Sequence, residues 1–158
     1  MIILIIILSF LLGLMVGSFL NCVIFRLEKG EQFWRGRSHC FSCQKELGFI
    51  DLVPIGSFLW QKGRCRYCHK KISWQYPLVE LATAVLFCLA VFWRLDPDLA
   101  IAYDWLFRDW LFISFLIIIF VYDLKHYLIL DKVVLPAIIM ALALNLILGL
   151  AWQSLLLG

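Results

Sequence analysis

The chain has 158 residues, 64% of them hydrophobic, with a formal net charge of +3 and a mean hydropathy of +0.94. Soluble domains run at roughly 45–50% apolar residues, so an ordinary soluble globular domain is excluded. The apolar residues fall in long runs with the charges clustered between them, which is the pattern of membrane spans joined by polar loops.

Residues 1–25 carry no charge. At about 1.5 Å rise per residue, a helix of that length more than spans a hydrocarbon core of about 30 Å. A basic leading region and a small-residue cleavage site are both missing, so the run reads as a first span and not as a signal peptide. Gly13, Gly17 and Ser18 let a second helix approach closely, and Asn21 can hydrogen-bond across the interface.

Residues 26–76 hold ten Lys/Arg and four Asp/Glu, a net charge of +6. Such a block beside a span reads as a positive-inside, cytoplasmic loop, with the N-terminus outside. The segment is too polar to lie in lipid and too long for a turn. It contains Cys40-Phe-Ser-Cys43 and Cys65-Arg-Tyr-Cys68, with 21 residues between the pairs. Two thiolates two residues apart can occupy adjacent corners of a tetrahedron, and a second pair closes the site. A closed four-thiolate set reads as structural zinc. The competing readings are disulfides, disfavoured in a reducing cytoplasm, and free or redox-active thiols. His39 and His69 adjoin motif cysteines and could substitute as ligands. Cys22 and Cys88 lie in apolar runs and read as small buried residues. A loop of about fifty residues buries too little apolar surface to fold unaided, so a metal would supply its folding energy.

A second apolar run covers residues 78–93, with Pro77 at its start, where a missing N–H costs least. Glu80 lies just inside it. An acid near a helix N-terminus is favoured, and it could also pair with Arg or Lys of the basic loop; structural and functional roles weigh evenly. Residues 95–105 form an acidic outside loop. A third span begins near Trp110 and continues as helix through Asp123, Lys125 and His126. Residues 133–157 form a fourth charge-free run, with Pro136 near its start. The expectation is an all-α membrane protein of about four transmembrane helices. Its domains are 1–25 (first helix), 26–76 (cytoplasmic zinc-type loop) and 77–158 (three further helices). No internal repeat is legible.

Asp123 ends the run 115–122. An ionisable group at that depth is by default a functional candidate; the plainer reading is an interfacial anchor beside Lys125 and His126. For Asp131, a helix-start acid favoured by the dipole outweighs catalysis.

The residues together resemble the bacterial type IV prepilin peptidases, the leader peptidase/N-methyltransferases. The resemblance rests on Gly17-Ser-Phe-Leu-Asn21, Val23-Ile24 and Arg26, then Arg37-Ser38, Cys40, Cys43, Asp51-Leu-Val-Pro54, Gly63-Arg-Cys-Arg66, Cys68, Ile72-Ser73 and Tyr76-Pro-Leu-Val-Glu-Leu81. It covers about residues 13–81. Asp123, with Asp131 and Pro136, is similar to the stretch holding the family's first catalytic aspartate, although Leu130 stands where the family commonly has Pro. The resemblance implies an aspartic peptidase of the bacterial inner membrane that cuts leader peptides from pilin-like precursors. It also implies methylation of the new N-terminus with S-adenosylmethionine in many members, and a catalytic role for Asp123. The family's second aspartate lies in a Gly-x-Gly-Asp stretch that none of the nine glycines here forms. The expectation is an N-terminal portion lacking that aspartate, with a second chain as one source of it. A rival reading is a non-catalytic, zinc-bearing subunit of pilus or type II secretion assembly. A nucleic-acid partner is not expected, because the positive-inside rule already accounts for the basic residues.

Overall fold

The structure is a computed structural model that describes residues 2–30, 38–40, 42–95, 103–126 and 131–147, with the side chains of residues 103, 104, 131, 132 and 147 outside the description. It is helical: α1 (Ile2–Lys29), a 3-10 turn (Phe49–Leu52), α2 (Gly56–Trp60), α3 (Gln75–Trp93), α4 (Tyr103–His126) and α5 (Asp131–Ile147). No strand is present among the described residues. Three helices, α1, α3 and α4, are long and apolar enough to cross a membrane. The fourth expected span is helical over Asp131–Ile147, and residues 148–157 of that run lie outside the described residues.

The helix boundaries follow local chemistry. Lys29 is followed by Gly30 at φ +69°, the left-handed position where glycine has no Cβ penalty. At the start of α3 the Gln75 N–H donates to Ser73 Oγ at 3.3 Å, and Pro77 sits in the first turn, where its missing N–H is not needed. Helix α4 begins seven residues before the expected Trp110. Arg108 and Asp109 look like a break in the sequence, but Arg94 at the end of α3 closes a two-pronged ion pair on Asp109, and Arg108 lies 4.5 Å from the Trp105 ring centroid. Paired in this way, the charges do not interrupt the helix.

Helices α1 and α3 form the most intimate contact. A Cβ built on Gly13 would lie 2.5 Å from Ala84 Cα, and one on Gly17 would lie 2.7 Å from Glu80 Cα. Asn21 Nδ2 donates to the Tyr76 carbonyl at 3.0 Å. The register therefore advances four residues at a time on both helices, in opposite directions, and the small-residue stripe lets the two backbones touch. The core continues into α4 and α5 through Leu20, Val23, Ile24, Val79, Ile117, Ile118 and Val133. At the other end Trp110 stacks on Phe87, with ring centroids 5.1 Å apart.

Candidate metal centre and the cavity beside it

Cys40, Cys43, Cys65 and Cys68 converge, with all four sulfurs within 4.8 Å of one another. Cys40 Sγ and Cys68 Sγ, from different pairs, are 3.8 Å apart. Four thiolates about 2.3 Å from a tetrahedral metal stand about 3.8 Å apart along each edge, so the cross-pair spacing already matches a metal-filled site. No disulfide joins the six cysteines, and four of them gather in a single cluster rather than in two bonded pairs. His39 and His69 do not belong to the cluster. Cys65 is buried and Cys43 exposed, so the centre sits at a surface and is closed from below.

The local backbone shows why each pair points inward. Cys40 N–H donates to the Lys45 carbonyl, Gln44 N–H to the Cys40 carbonyl and Leu47 N–H to the Ser38 carbonyl, at 2.9, 2.8 and 2.8 Å. Cys65 N–H donates to Lys70, His69 N–H to Cys65 and Ile72 N–H to Gly63, at 2.8, 2.9 and 2.8 Å. Every bond recurs 25 residues later. Gln44 and His69 both adopt positive φ, at 59° and 56°, and the isolated bridges His39–Glu46 and Arg64–Lys71 also correspond. The loop is thus a structural duplication of two knuckles. In sequence only the cysteine pairs and Lys45/Lys70 are identical at this spacing, and the rest of the correspondence is carried by backbone geometry.

The same turns set the thiol chemistry. Burial pushes the Cys40 thiol up, but N–H groups of Cys43 and Ser42, with the Cys65 and Cys43 thiols, outweigh it and bring it down to about 6. Burial holds the Cys65 thiol above its ordinary value, and the neighbouring Cys40 and Cys68 sulfurs add to the rise. N–H groups aimed at sulfur favour the thiolate, the form that binds a metal.

Between the knuckles and the helix ends lies a cavity of about 490 Å³, bordered among others by Cys40, Glu28, Glu80, Ser18, Tyr76 and Lys125. Glu80, buried, accepts the Ile55 N–H on Oε2 at 2.6 Å and a hydrogen bond from Ser18. Its described partners are thus a loop amide and a hydroxyl, not Arg or Lys of the basic loop. It ties α1, α3 and the loop together at one point. Glu28 at the end of α1 holds Lys125 at 2.7 Å and faces His126 at 3.8 Å, fixing the end of α4 against that of α1. This contact spans 97 residues and leaves no local signal in sequence. Asp123 lies in the last turn of α4, exposed, two residues from that anchor; it does not border the cavity. Asp131 is the first described residue of α5.

The family profile described as Bacterial Peptidase A24 N-terminal domain matches residues 11–95. The prepilin leader peptidase/N-methyltransferase of Myxococcus xanthus is 35% identical over 155 residues, covering 94% of this chain and 43% of the relative. The type 4 prepilin-like proteins leader peptide-processing enzyme of Escherichia coli O78:H11 is 44% identical over 96 residues, 49% of this chain and 36% of that protein. The prepilin leader peptidase/N-methyltransferase of Bacillus subtilis is 42% identical over 81 residues, 51% of this chain and 33% of that protein. The chain thus spans less than half the length of these relatives. No solved structure matches. The matched span holds the small-residue stripe, both knuckles and Glu80, and on that basis the chain belongs to the bacterial prepilin peptidase family through its N-terminal domain.

Proposed function

We propose that this chain is the zinc-bearing N-terminal portion of a prepilin leader peptidase, with Asp123 as one of two catalytic carboxylates. The observation that carries the reading is the family match over residues 11–95, together with an alignment that takes in 94% of the chain. Cleavage of a peptide bond by water needs one carboxylate to accept the water's proton and another to donate one to the leaving nitrogen. Asp123 sits on a helix end that Glu28 anchors through Lys125, and it is open to an arriving leader peptide. The partner carboxylate comes from a Gly-x-Gly-Asp element outside these 158 residues. Cys40, Cys43, Cys65 and Cys68 hold structural zinc, since four thiolates leave no open position for substrate. S-adenosylmethionine, when bound, supplies the methyl group for the new N-terminus. The substrates are type IV prepilin-like precursors. The protein lies in the bacterial inner membrane, with its N-terminus outside and the basic loop in the cytoplasm, supported by the +6 charge of residues 26–76.

The test is a prepilin cleavage assay in membranes lacking the endogenous peptidase. This chain is supplied alone, with a family C-terminal half, and with that half and Asp123→Asn. Cleavage is expected in the second case and lost in the third. Full cleavage with Asp123→Asn removes Asp123 from the mechanism. No cleavage from any pairing favours a non-catalytic assembly subunit.

A further inference from the structure

The knuckles are joined by a segment, residues 49–60, whose character differs from the rest of the basic loop. Between Glu46 and Lys62 the one charge is Asp51, and the Gly48 N–H, Gln61 Nε2 and Tyr67 hydroxyl all donate to it. Phe49 is 94% exposed, Trp60 86%, Ile50 67% and Leu59 66%. In water this would be a large apolar liability on a small loop.

The position of the segment along α1 resolves this. Ile55 is bonded to Glu80, and Glu80 packs against Gly17. Arg26 is the first charge on α1, nine residues further on, or about 13 Å along the axis at 1.5 Å per residue. A hydrocarbon core of about 30 Å takes up about 20 residues. Even if it ended as early as Asn21, the level of Gly17 would be about 6 Å inside. Phe49, Leu52, Val53 and Pro54 share a hollow with the outward-facing apolar Met15 and Phe19 of α1, and the hollow runs on past Ser18 and Cys22 to Arg26 and Ser38 at its polar end. The loop's apolar face is therefore continuous with the lipid-facing side of a span.

We propose that residues 49–60 form a re-entrant segment that dips into the bilayer beside α1 and α3, with Phe49, Ile50, Val53 and Leu59 against lipid acyl chains. Irregular backbone at membrane depth needs internal hydrogen-bond partners, and several N–H groups of the segment have them. Asp51 N–H donates to the Gly48 carbonyl, Ser57 N–H to Val53 and Leu59 N–H to Ile55, each at 3.0 Å. Ile55, at φ +56°, gives its N–H to Glu80, and Pro54 has none to give. The flanks fit the same placement. Trp60 and the 69% exposed Trp74 suit the headgroup level, and the exposed Lys62, Arg64, Arg66, Lys70 and Lys71 suit anionic headgroups above it. The +6 net charge of residues 26–76 conceals this stretch in a reading by net polarity.

A genetically encoded fluorescent amino acid placed singly at Val53 and at Leu59 tests the proposal in the full chain. The protein is reconstituted in phosphatidylethanolamine/phosphatidylglycerol vesicles, with Phe19 and Lys29 as lipid-facing and aqueous reference sites. Circular dichroism matching the wild type confirms that each variant is folded. Acyl-brominated lipid is expected to quench both sites to the extent seen at Phe19, with aqueous iodide quenching them far less than Lys29. Iodide quenching equal to that at Lys29 would place the segment in water. Quenching by neither reagent would mean that protein covers it, a second copy or the remainder of a longer enzyme. Either result overturns the proposal.

Discussion

The close backbone approach at Gly13 and Gly17 offers a graded test of how α1 and α3 are held. In Gly17→Ala the new methyl would stand 2.7 Å from Glu80 Cα, 3.0 Å from Thr83 Oγ1 and 3.1 Å from the Val79 carbonyl. Two of these neighbours are backbone atoms and cannot rotate away. Ordinary contact starts at 3.4 Å, so α3 must retreat by about 0.7 Å at this level, and by about 0.9 Å for Gly13→Ala against Ala84. Overpacking of this kind costs about 1–3 kcal/mol. The same retreat stretches the 3.0 Å bond from Asn21 to Tyr76 beyond useful length, adding about 0.6 kcal/mol. The two glycines share one interface, so Gly13→Ala with Gly17→Ala is expected to cost less than the two single effects combined, by about 1 kcal/mol. Unfolding in mixed detergent micelles measures all three variants, with Leu8→Ala on the outward face of α1 as the control. A Gly17→Ala midpoint equal to the wild type would show that the backbones do not meet as described.

Other outcomes follow from the loop and its anchor. Cys68→Ser should abolish bound zinc measured by elemental analysis and make residues 38–72 protease-sensitive while leaving the spans inserted, because metal binding supplies the folding energy. Glu80→Leu leaves the Ile55 N–H without its acceptor at a cost of about 1–3 kcal/mol, whereas Glu80→Gln retains an oxygen and is expected to be milder; detergent unfolding separates the two.

Sequence reading reached the elements whose signal is local. Charge-free runs located the helices, and cysteine spacing located the cluster, because hydropathy and ligand spacing are properties of short stretches. Gly13, Gly17 and Asn21 showed their packing role because small-residue and amide chemistry in a span has few other uses. What stayed hidden depends on partners far along the chain. The early start of α4 depends on Arg94 neutralising Asp109. The place of Glu80 depends on an amide 25 residues away, and that of Glu28 on Lys125. The correspondence between the knuckles is written in backbone hydrogen bonds that several different side chains permit.

That correspondence has a consequence for how the loop is assembled. Each knuckle closes through contacts no more than nine residues apart, so each can form before the other leaves the ribosome. Short closures of this size are fast, on the order of 10–100 ns, and the residual search is a single meeting of two preformed halves. The entropy of closing the intervening stretch grows only logarithmically with its length. The join is therefore tolerant of insertions between the halves and intolerant of a one-residue change inside either of them. Length variation near the apex of the loop and strict spacing within each knuckle are the pattern this construction imposes on any sequence that adopts it.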